Sequence, residues 1–436
     1  MKTKSKPHRI GLVSLGCAKN LVDSELLMKQ LEANNYEIVF DPVNTADIDT
    51  AIINTCGFIN DAKQESIDTI LQYVGAKQHN KIGRVYVMGC LSERYTSKLQ
   101  LEIPEVDAFF GVNDLRKIIN HIGGTYKSQL LGERKLTTPS HYAYLKIAEG
   151  CDRKCSFCAI PMIRGKHVSR PMEEIVSEAS RLVQAGVKEI NIISQDTTYY
   201  GLDLYKKRRL PELLDSLADI EGLEWIRLHY TYPDGFPPEL LDVVRSRSNI
   251  CNYIDIPLQH ISDRILKSMH RGMDGAGIRK LVDSIREAIP GVAIRTTLIA
   301  GYPGETEKEF RELRDFIEEY RFDRLGVFSY SHEEDTRAFK LRDSISEKRK
   351  TERVDELMSL QESISHSLNQ DKVGQIIKVL VDRCEGEFDI ARSEHDSPEV
   401  DNEVLIHNRG KVLIPGSFCN VKINRAESFD LYAELQ

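Results

Sequence analysis

Three cysteines within eight residues are the clearest ligand set in the sequence. They are Cys151, Cys155 and Cys158 in the stretch CDRKCSFC, with the spacing C-x3-C-x2-C. A cubane iron–sulfur cluster has four irons and a structural zinc takes four ligands, so one position remains to be filled. No obvious fourth ligand follows, because the nearest histidine, His167, lies beyond a proline and a glycine. The spacing favours an iron–sulfur cluster with one open iron over a closed zinc site.

A second set of three cysteines is spread over the first 90 residues. Cys17, Cys56 and Cys90 each follow a run of apolar residues that predicts a strand. Because the carboxyl ends of parallel strands meet at one edge of an open sheet, we expect the three thiols to lie together. Helices that begin after Cys17 and Cys56 should favour thiolate over thiol. A single buried cysteine is usually inert, but three in equivalent places indicate a ligand set; the cysteines without a partner at ligand spacing are Cys251, Cys384 and Cys419.

Strand and helix patterns alternate in two long blocks of the chain. The first block covers about 120 residues and predicts an open parallel α/β sheet. The second runs from residue 144 to about 330 and has six strand candidates, which predicts a partial (β/α)6 barrel. After Gly374 the pattern changes to period two, which predicts a small all-β barrel of the oligonucleotide-binding type.

These changes of pattern predict four parts: a cluster domain over residues 1–124, a linker over 125–140, a barrel domain with a carboxyl-terminal helix over 141–372, and the all-β module over 373–436. The composition, 41% hydrophobic and 29% charged, is typical of a soluble globular protein. No apolar run is long enough to span a bilayer, and the amino terminus lacks the apolar core of a signal peptide. We therefore expect a cytoplasmic protein whose clustered cysteines bind metal rather than form disulfides.

The motif C-x3-C-x-F-C, placed after the first predicted barrel strand, resembles the signature of the radical S-adenosylmethionine (SAM) superfamily. The resemblance implies that Cys151, Cys155 and Cys158 bind a [4Fe–4S] cluster whose open iron binds SAM. An electron from the cluster then cleaves SAM to a 5′-deoxyadenosyl radical. GYPGET (301–306) alone predicts only a tight turn. With the motif, which includes Phe157, the resemblance implies SAM contacts at Gly301, Gly304 and Glu305. Ser194 and Gln195 end another predicted strand and should face the mouth of the barrel, so we expect cofactor contacts there as well.

The trio Cys17, Cys56 and Cys90 ahead of that motif, with the all-β module behind it, resembles the methylthiotransferase family over essentially the whole chain. Members of that family combine a cluster domain, a radical SAM barrel and a TRAM domain. The resemblance implies a second, auxiliary [4Fe–4S] cluster on the trio, whose open iron carries sulfur. One SAM methylates that sulfur, and a second supplies the radical that removes a hydrogen from an unactivated C–H bond. A low-potential electron donor such as flavodoxin or ferredoxin is implied.

Three stretches resemble the family members that modify an aspartate of ribosomal protein uS12 more than those that modify an adenosine of tRNA; they are residues 148–170, 194–205 and 233–244. The all-β module has seven Lys/Arg and twelve Asp/Glu, a net charge of 7 − 12 = −5. An RNA-binding module should be basic, so we expect no direct nucleic-acid binding. An acidic module suits a basic partner such as uS12, free or on the small subunit. The prediction is methylthio transfer to the β-carbon of a uS12 aspartate.

The loop SEHDSPEVDNE (393–403) concentrates acidic residues within this module. It is either a solvated loop or a docking site for uS12 that acts through Glu394, Asp396, Glu399 and Asp401. Two alternatives for the whole chain remain at this point. One is a methylthiotransferase acting on tRNA, and the other is a nonenzymatic, zinc-stabilised ribosome-binding factor. Colour distinguishes the second, because zinc proteins are colourless and iron–sulfur proteins are not.

Overall fold

The structure is a computed structural model that describes residues 8–130, 132–408, 410 and 412–436. The basic stretch before His8 lies outside the described residues, as do Arg409 and Lys411, two of the basic residues counted in the all-β module. The chain forms two compact units. The first comprises the chain up to Thr138 together with Glu149–Asp152 and Ala159–Val168, and the second comprises Pro139–Ala148, Arg153–Cys158 and Ser169–Gln436.

A five-stranded parallel sheet organises the first unit. Its strands are β1 (Arg9–Ser14), β2 (Glu37–Phe40), β3 (Thr50–Thr55), β4 (Arg84–Gly89) and β5 (Ala108–Phe109). The order across the sheet is β2-β1-β3-β4-β5, and every pairing is parallel. The predicted open parallel sheet is confirmed. Because the strand order reverses between β1 and β3, the carboxyl ends of these strands border the crevice where open α/β sheets bind ligands.

Helices cover both faces of this sheet. They are α1 (Ala18–Glu32), α2 (Asn60–Gln78), α3 (Cys90–Glu102), α4 (Leu115–His121) and α5 (Ile160–Ile163). Ile53 of β3 packs with Ile70 of α2, while its neighbour Ile52 packs with Leu31 of α1. Consecutive strand residues point to opposite faces, so a strand covered on both faces must be apolar throughout. This explains the uninterrupted apolar runs that precede the three cysteines.

A six-stranded parallel sheet organises the second unit. The strands of this part of the chain are β6 (Tyr142–Lys146), β7 (Ala148–Glu149), β8 (Val168–Ser169), β9 (Glu189–Ile193), β10 (Trp225–Leu228), β11 (Ile250–Asp255), β12 (Ala293–Ala300) and β13 (Arg324–Ser329). The large sheet has the order β13-β12-β11-β10-β9-β6, so strands that follow each other in sequence are neighbours. The sheet keeps two edges, β6 and β13, and therefore confirms the predicted partial barrel.

Amphipathic helices connect these strands and end the barrel part. They are α6 (Met172–Gln184), α7 (Leu202–Tyr205), α8 (Leu210–Ala218), α9 (Glu239–Ser246), α10 (Asp263–Ser268), α11 (Gly275–Ala288), α12 (Glu307–Tyr320) and α13 (Glu347–Gln370). A capping box between Thr306 and Glu309 begins α12. The charged helix α13 packs on its own unit, where Gln361 donates a 2.8 Å hydrogen bond to the carbonyl of Phe322.

A closed five-stranded barrel ends the second unit. Its strands are β14 (Ile376–Glu385), β15 (Phe388–Ser393), β16 (Glu403–His407), β17 (Phe418–Ala426) and β18 (Asp430–Leu435). They close in the order β14-β15-β16-β18-β17 around a core of small aliphatic side chains. Phe418 of this barrel packs edge-on against Trp225 of β10, with ring centroids 4.9 Å apart. The predicted all-β module is confirmed.

Among the described residues, no helix combines the length and apolar character needed to cross a lipid bilayer.

Candidate cluster and cofactor site

The structure places the three amino-terminal cysteines at one edge of the first sheet. Cys17 lies three residues after β1, Cys56 directly follows β3, and Cys90 directly follows β4 as the first residue of α3. Since these strands are neighbours, their carboxyl ends lie side by side. Cys90 is buried, Cys56 is half-buried and Cys17 is exposed. The set is therefore anchored in the protein on one side and open to solvent on the other.

Two glycines allow the three cysteine loops to approach one another. Gly16 has φ +90°, and a Cβ on it would lie 2.8 Å from the Cβ of Cys56. A Cβ on Gly57 would lie 2.7 Å from the backbone nitrogen of Leu91, beside Cys90. Neither position has room for a side chain, because contacts this short do not occur between real atoms. Both glycines are therefore needed for the close approach of the loops that carry the three cysteines.

Asn20 joins the loops that carry the three cysteines. It is 1% exposed, and its Nδ2 donates hydrogen bonds to the carbonyls of Leu15 (2.9 Å) and Thr55 (3.1 Å). Its Oδ1 lies 3.5 Å from the sulfur of Cys90. One buried amide thus holds the chain before Cys17 and before Cys56 and contacts the third cysteine. Our sequence reasoning did not find Asn20, because an asparagine in a helical stretch carries no local signal of this role.

Arg164 brings a positive charge to the same place. Its guanidinium donates to Oδ1 of Asn20 at 2.6 Å, contacts Asp23 at 3.2 Å and contacts Glu149 at 2.9 Å. The side chain is only 2% exposed. A guanidinium remains charged at any ordinary pH, so it can offset the negative charge of thiolates. Arg164 was also missed, since nothing near it in the sequence points to residues more than a hundred positions away.

Burial is the largest influence on the pKa of two of the three amino-terminal thiols. Burial raises the pKa of Cys56, and it raises the pKa of Cys90 to about 12 although Arg164 acts in the opposite direction. The expectation that a following helix favours thiolate at Cys56 is therefore wrong. The helix α2 begins only at Asn60, and loss of hydration outweighs its dipole. Burial therefore favours the protonated thiol over the thiolate at both positions, and a bound cation would act in the opposite direction.

The donor set consists of three cysteine sulfurs, which are the usual ligands of iron–sulfur clusters. Within the described part of the chain, no group of three or more His, Cys, Asp or Glu side chains is placed to hold a single metal ion. The thiolates of a cubane bind different irons and do not converge on one point. Three thiols of graded exposure around a buried guanidinium therefore fit a [4Fe–4S] cluster that has one side open.

The C-x3-C-x2-C motif lies in the loop after β6 and β7. In the first unit, the backbone N–H of Cys151 donates to the carbonyl of Gly165 at 3.1 Å. In the second unit, the N–H of Cys158 donates to the carbonyl of Cys155 at 3.3 Å, which forms a tight turn. Within that unit the sulfur of Cys155 lies 3.3 Å from Nη1 of Arg271, a contact that sequence reasoning missed.

Two side chains within the motif fix it to the barrel. Ser156 Oγ lies 2.9 Å from the hydroxyl of Tyr302, which belongs to the GYPGET segment. Phe157 packs against the apolar cluster that contains Tyr302 and Met269. The backbone carbonyl of Ser156 also accepts a 2.8 Å hydrogen bond from Ala338. The motif and GYPGET, predicted separately, are thus held together by direct contacts.

GYPGET forms a tight turn after β12. Gly301 and Gly304 have φ values of +78° and +80°, which side chains rarely adopt. The carboxylate of Glu305 folds back beneath the turn, accepts a hydrogen bond from the Gly301 N–H and lies 3.4 Å from Nη1 of Arg353. Glu305 therefore holds the turn in shape. Gly304 is exposed, whereas Gly301 is buried, and a Cβ on Gly301 would clash with Cγ of Lys350.

Several buried polar atoms at the strand ends have no hydrogen-bond partner among the described residues. Ser194 Oγ, directly after β9, is one of them. Glu305 Oε1 and His260 Nε2 are two more, and they lie 3.8 Å apart, too far for a hydrogen bond. Gln195 follows Ser194 and is half-buried. Because buried polar groups are almost always satisfied, these atoms suit a polar ligand such as SAM.

The structure buries the side chains of two of the four predicted docking residues in the acidic loop 393–403, namely Asp396 and Asp401. Asp396 is 1% exposed, and Arg324 Nε donates a 3.0 Å hydrogen bond to it. Asp401 lies 3.3 Å from Arg295 Nε. Both arginines belong to strands of the central sheet, so the two carboxylates neutralise charges of their own chain.

The two glutamates of this loop have internal partners as well. The Tyr142 hydroxyl donates to Glu399 at 2.8 Å, and the backbone N–H of Asn252 donates to Glu394 at 3.0 Å. All four carboxylates therefore contact the central sheet of the same unit. The docking prediction is wrong for Asp396 and Asp401, because arginines of the same chain already neutralise these two carboxylates. Among the described residues, Glu394 and the exposed Glu399 accept hydrogen bonds from uncharged groups only, so docking through these two residues stays a prediction.

Family models match three parts of the chain: residues 9–111 the Uncharacterized protein family UPF0004, residues 145–317 the Radical SAM superfamily, and residues 373–435 the TRAM domain. Among solved structures, the chain is similar to the radical SAM methyltransferase TsrM from Kitasatospora setae, with a TM-score of 0.55 and 14% identity over 73% of this chain and 72% of that one. It is also similar to the cobalamin-dependent radical SAM enzyme OxsB, with a TM-score of 0.52 and 14% identity over 82% of this chain and 56% of that one. These structures show the fold.

Fold and site together define a radical SAM enzyme, a transferase that uses SAM and a [4Fe–4S] cluster. Curated relatives include a ribosomal protein uS12 methylthiotransferase RimO of Cytophaga hutchinsonii, 55% identical with 100% of both chains covered. Another RimO, of Flavobacterium johnsoniae, is 54% identical, again with 100% of both chains covered. The chain belongs to the RimO family of radical SAM methylthiotransferases.

Proposed function

We propose that the chain transfers a methylthio group to the β-carbon of an aspartate in ribosomal protein uS12, with two [4Fe–4S] clusters and SAM as cofactors. The observation that carries the proposal is the convergence of Cys17, Cys56 and Cys90 around Asn20. A radical SAM enzyme that only abstracts hydrogen has no use for this second thiol set. The activity named for relatives 54–55% identical over their full length supports the choice of uS12.

In this proposal each cysteine set holds one cluster. Cys151, Cys155 and Cys158 hold the cluster that binds SAM, and Cys17, Cys56 and Cys90 hold the auxiliary cluster. When bound, these groups supply the electron that starts radical chemistry and the sulfur that is transferred. The protein contributes binding, orientation and charge, and Arg164 balances the thiolates of the auxiliary set.

SAM is oriented by the strand ends of the partial barrel. The exposed Gly304 allows close approach of the turn's backbone to a ligand, and Glu305 holds the turn in place through the Gly301 N–H. Ser194, Gln195 and the polar edge formed by Glu305 and His260 offer hydrogen-bonding atoms to the cofactor. Phe157 is part of the cysteine motif and packs against the apolar cluster that contains Tyr302, so it keeps the loop of the motif against the glycine turn.

Two parts of the proposal concern partners and location. A one-electron donor of low potential, such as flavodoxin or ferredoxin, reduces the SAM-binding cluster. The protein acts in the cytoplasm, where uS12 is met free or on the small subunit. A reducing compartment suits a protein whose cysteines serve as cluster ligands rather than as disulfides.

The test uses protein reconstituted without oxygen. Iron and sulfide are measured first, and then SAM, dithionite and recombinant uS12 are added and uS12 is examined by mass spectrometry. We expect about eight irons per chain, four for each cluster, and a methylthio mass gain on one aspartate. The triple variant Cys17→Ala, Cys56→Ala, Cys90→Ala should retain about four irons and give no methylthio product.

Cys251→Ala is the matched control, because Cys251 is buried in β11 and belongs to neither set. This variant should keep both clusters and the activity. About four irons in the wild-type chain would overturn the two-cluster proposal. If both clusters are present but the enzyme modifies tRNA and not uS12, the proposed reaction stands and the proposed substrate is wrong. A colourless protein with bound zinc would support the nonenzymatic alternative.

A further inference from the structure

Arg271 points its guanidinium at one cysteine of the radical SAM motif. It lies between α10 and α11, is 4% exposed, and its Nη1 donates to the sulfur of Cys155 at 3.3 Å. Its Nη2 donates to the carbonyl of Pro257. The guanidinium is thus held by the backbone on one side and reaches the sulfur on the other.

An aromatic ring supports this arrangement. The carbon of the Arg271 guanidinium lies 4.2 Å from the ring centroid of Tyr232, and that of Arg153 lies 4.0 Å from the same centroid. Cations over an aromatic face are stabilised by its quadrupole, most strongly where water is excluded. Arg153 is also paired with Asp196 at 2.7 Å. Tyr232 therefore fixes the position of Arg271 beside the sulfur.

Among the described residues, the side chains of Tyr232 and Arg271 lie within hydrogen-bond distance of the Cys155 sulfur. The Tyr232 hydroxyl lies 3.4 Å from the sulfur and 3.1 Å from the carbonyl of Arg271, but it has one proton for these two acceptors. Arg271 has no such choice, because a guanidinium only donates. When the sulfur is a thiolate, Arg271 can therefore donate to it whether the Tyr232 proton points to the sulfur or to the carbonyl of Arg271.

We propose that Arg271 tunes the reduction potential of the cluster held by Cys151, Cys155 and Cys158, by donating a hydrogen bond and presenting a fixed positive charge to the sulfur of Cys155. This inference rests on the proposed function, since it takes Cys155 as a cluster ligand. Reduction adds one electron from the external donor and releases no proton. A cation beside a ligand sulfur stabilises the more negative, reduced form, so it raises the potential. Arg271 is a positioning residue and does not touch the reacting atoms.

The experiment is a potentiometric titration of the reconstituted holoenzyme with dithionite, followed by electron paramagnetic resonance. The signal that changes when SAM is added identifies the SAM-binding cluster. In Arg271→Gln we expect the ratio of reduced to oxidised cluster at a fixed potential to fall about tenfold, which is a shift of about 59 mV to more negative potential. Arg271→Lys keeps the charge but not the planar fork, so it should shift in the same direction by less.

Arg279→Gln is the control, because Arg279 also lies over an aromatic ring and pairs with Glu319, but on α11. It should leave the potential unchanged. A potential in Arg271→Gln equal to that of Arg279→Gln, with both clusters bound, overturns the inference alone. If Arg271→Gln binds less iron than the wild type, the potential is measured in Arg271→Lys instead. A potential of Arg271→Lys equal to that of the wild type then overturns the inference. A Cys155→Ala variant that keeps both clusters would instead overturn the ligand assignment on which the proposed function depends.

Discussion

The guanidinium of Arg164 donates a 2.6 Å hydrogen bond to the side-chain oxygen of Asn20, which lies 144 positions earlier in the chain. The same oxygen contacts the sulfur of Cys90. This contact connects the segment after the C-x3-C-x2-C motif to the edge of the first sheet, within one compact unit. The amino-terminal thiols are therefore completed by residues from the middle of the chain.

Replacement of Asn20 by Ala should release the auxiliary cluster. The change removes hydrogen bonds to two carbonyls and to Arg164, which we expect to cost about 1–3 kcal/mol of stability because buried groups lose partners. Iron content should fall from about eight to about four per chain. Asn249→Ala is the control, since Asn249 likewise donates to two carbonyls, in the other unit. Equal iron content in the two variants would contradict this prediction.

Replacement of Gly57 by Ala should have the same effect on iron for a steric reason. The new Cβ would meet the backbone of Leu91 at 2.6 Å, so the start of α3 and with it Cys90 must move. Gly75→Ala in α2 is the matched control, because nothing lies within 4 Å of its Cβ position. That variant should be more stable by about 1 kcal/mol and keep full iron. Iron and sulfide analysis after anaerobic reconstitution measures both, and a fully loaded Gly57→Ala protein would count against the close approach.

The ion pair of Asp396 and Arg324 should make stability depend on pH. Burial opposes ionisation of Asp396, but Arg324, Lys372 and the Ser393 hydroxyl together outweigh burial and hold the pKa of this carboxyl well below its usual value of about 3.9. A lowered folded-state pKa contributes stability that is present above the unfolded pKa and is lost as pH falls below it. Asp396→Asn should therefore cost about 3–5 kcal/mol at pH 7, because Arg324 is left buried and uncompensated.

The measurement for this variant is urea unfolding between about pH 7 and pH 3, a range that spans the unfolded pKa of Asp. Fluorescence of Trp225, the single tryptophan, reports on the packing of the closed barrel. The difference in unfolding free energy between wild type and Asp396→Asn should be constant above about pH 5 and shrink below about pH 4. Asp242→Asn is the control, since Asp242 is 72% exposed. A difference that stays constant down to pH 3 would refute the ion-pair argument.

Glu305→Gln should weaken SAM binding. The carboxylate holds the Gly301 N–H and lies 3.4 Å from Arg353, so loss of its charge loosens the turn that GYPGET forms. We expect the Kd for SAM, measured by equilibrium dialysis, to rise about tenfold, or about 1.4 kcal/mol. Glu307→Gln is the matched control, because Glu307 also contacts Arg353 at 3.4 Å but is 46% exposed. Similar Kd values for the two variants would show that Glu305 has no specific role in SAM binding.

The elements of both units were predictable because each depends on a local pattern. Apolar runs between amphipathic helices predict parallel strands, and period two after Gly374 predicts the closed barrel. The meeting of Cys17, Cys56 and Cys90 was predictable for a similar reason, since all parallel strands of a sheet end at the same edge. Those inferences need no knowledge of which distant residues touch.

Other parts of the site depend on contacts across more than a hundred positions. Arg271 and Cys155 are 116 residues apart, and no periodicity connects them. In the acidic loop 393–403, the sequence pattern was visible but the distant partners that change its meaning were not. Its charge count suggested a surface for a basic partner, but Arg295 and Arg324 of the central sheet were already its partners.

The sequence by itself determined the kinds of chemistry available to this protein: two sets of three thiols, a glycine turn after a strand and three folding patterns. These follow from residue type and short-range spacing. The tertiary structure alone decided which charges meet, namely Arg164 with the amino-terminal thiols, Arg271 with Cys155, and Asp396 with Arg324. Charged side chains are placed by the balance between loss of hydration and a partner's field, and that balance exists only once the chain has folded.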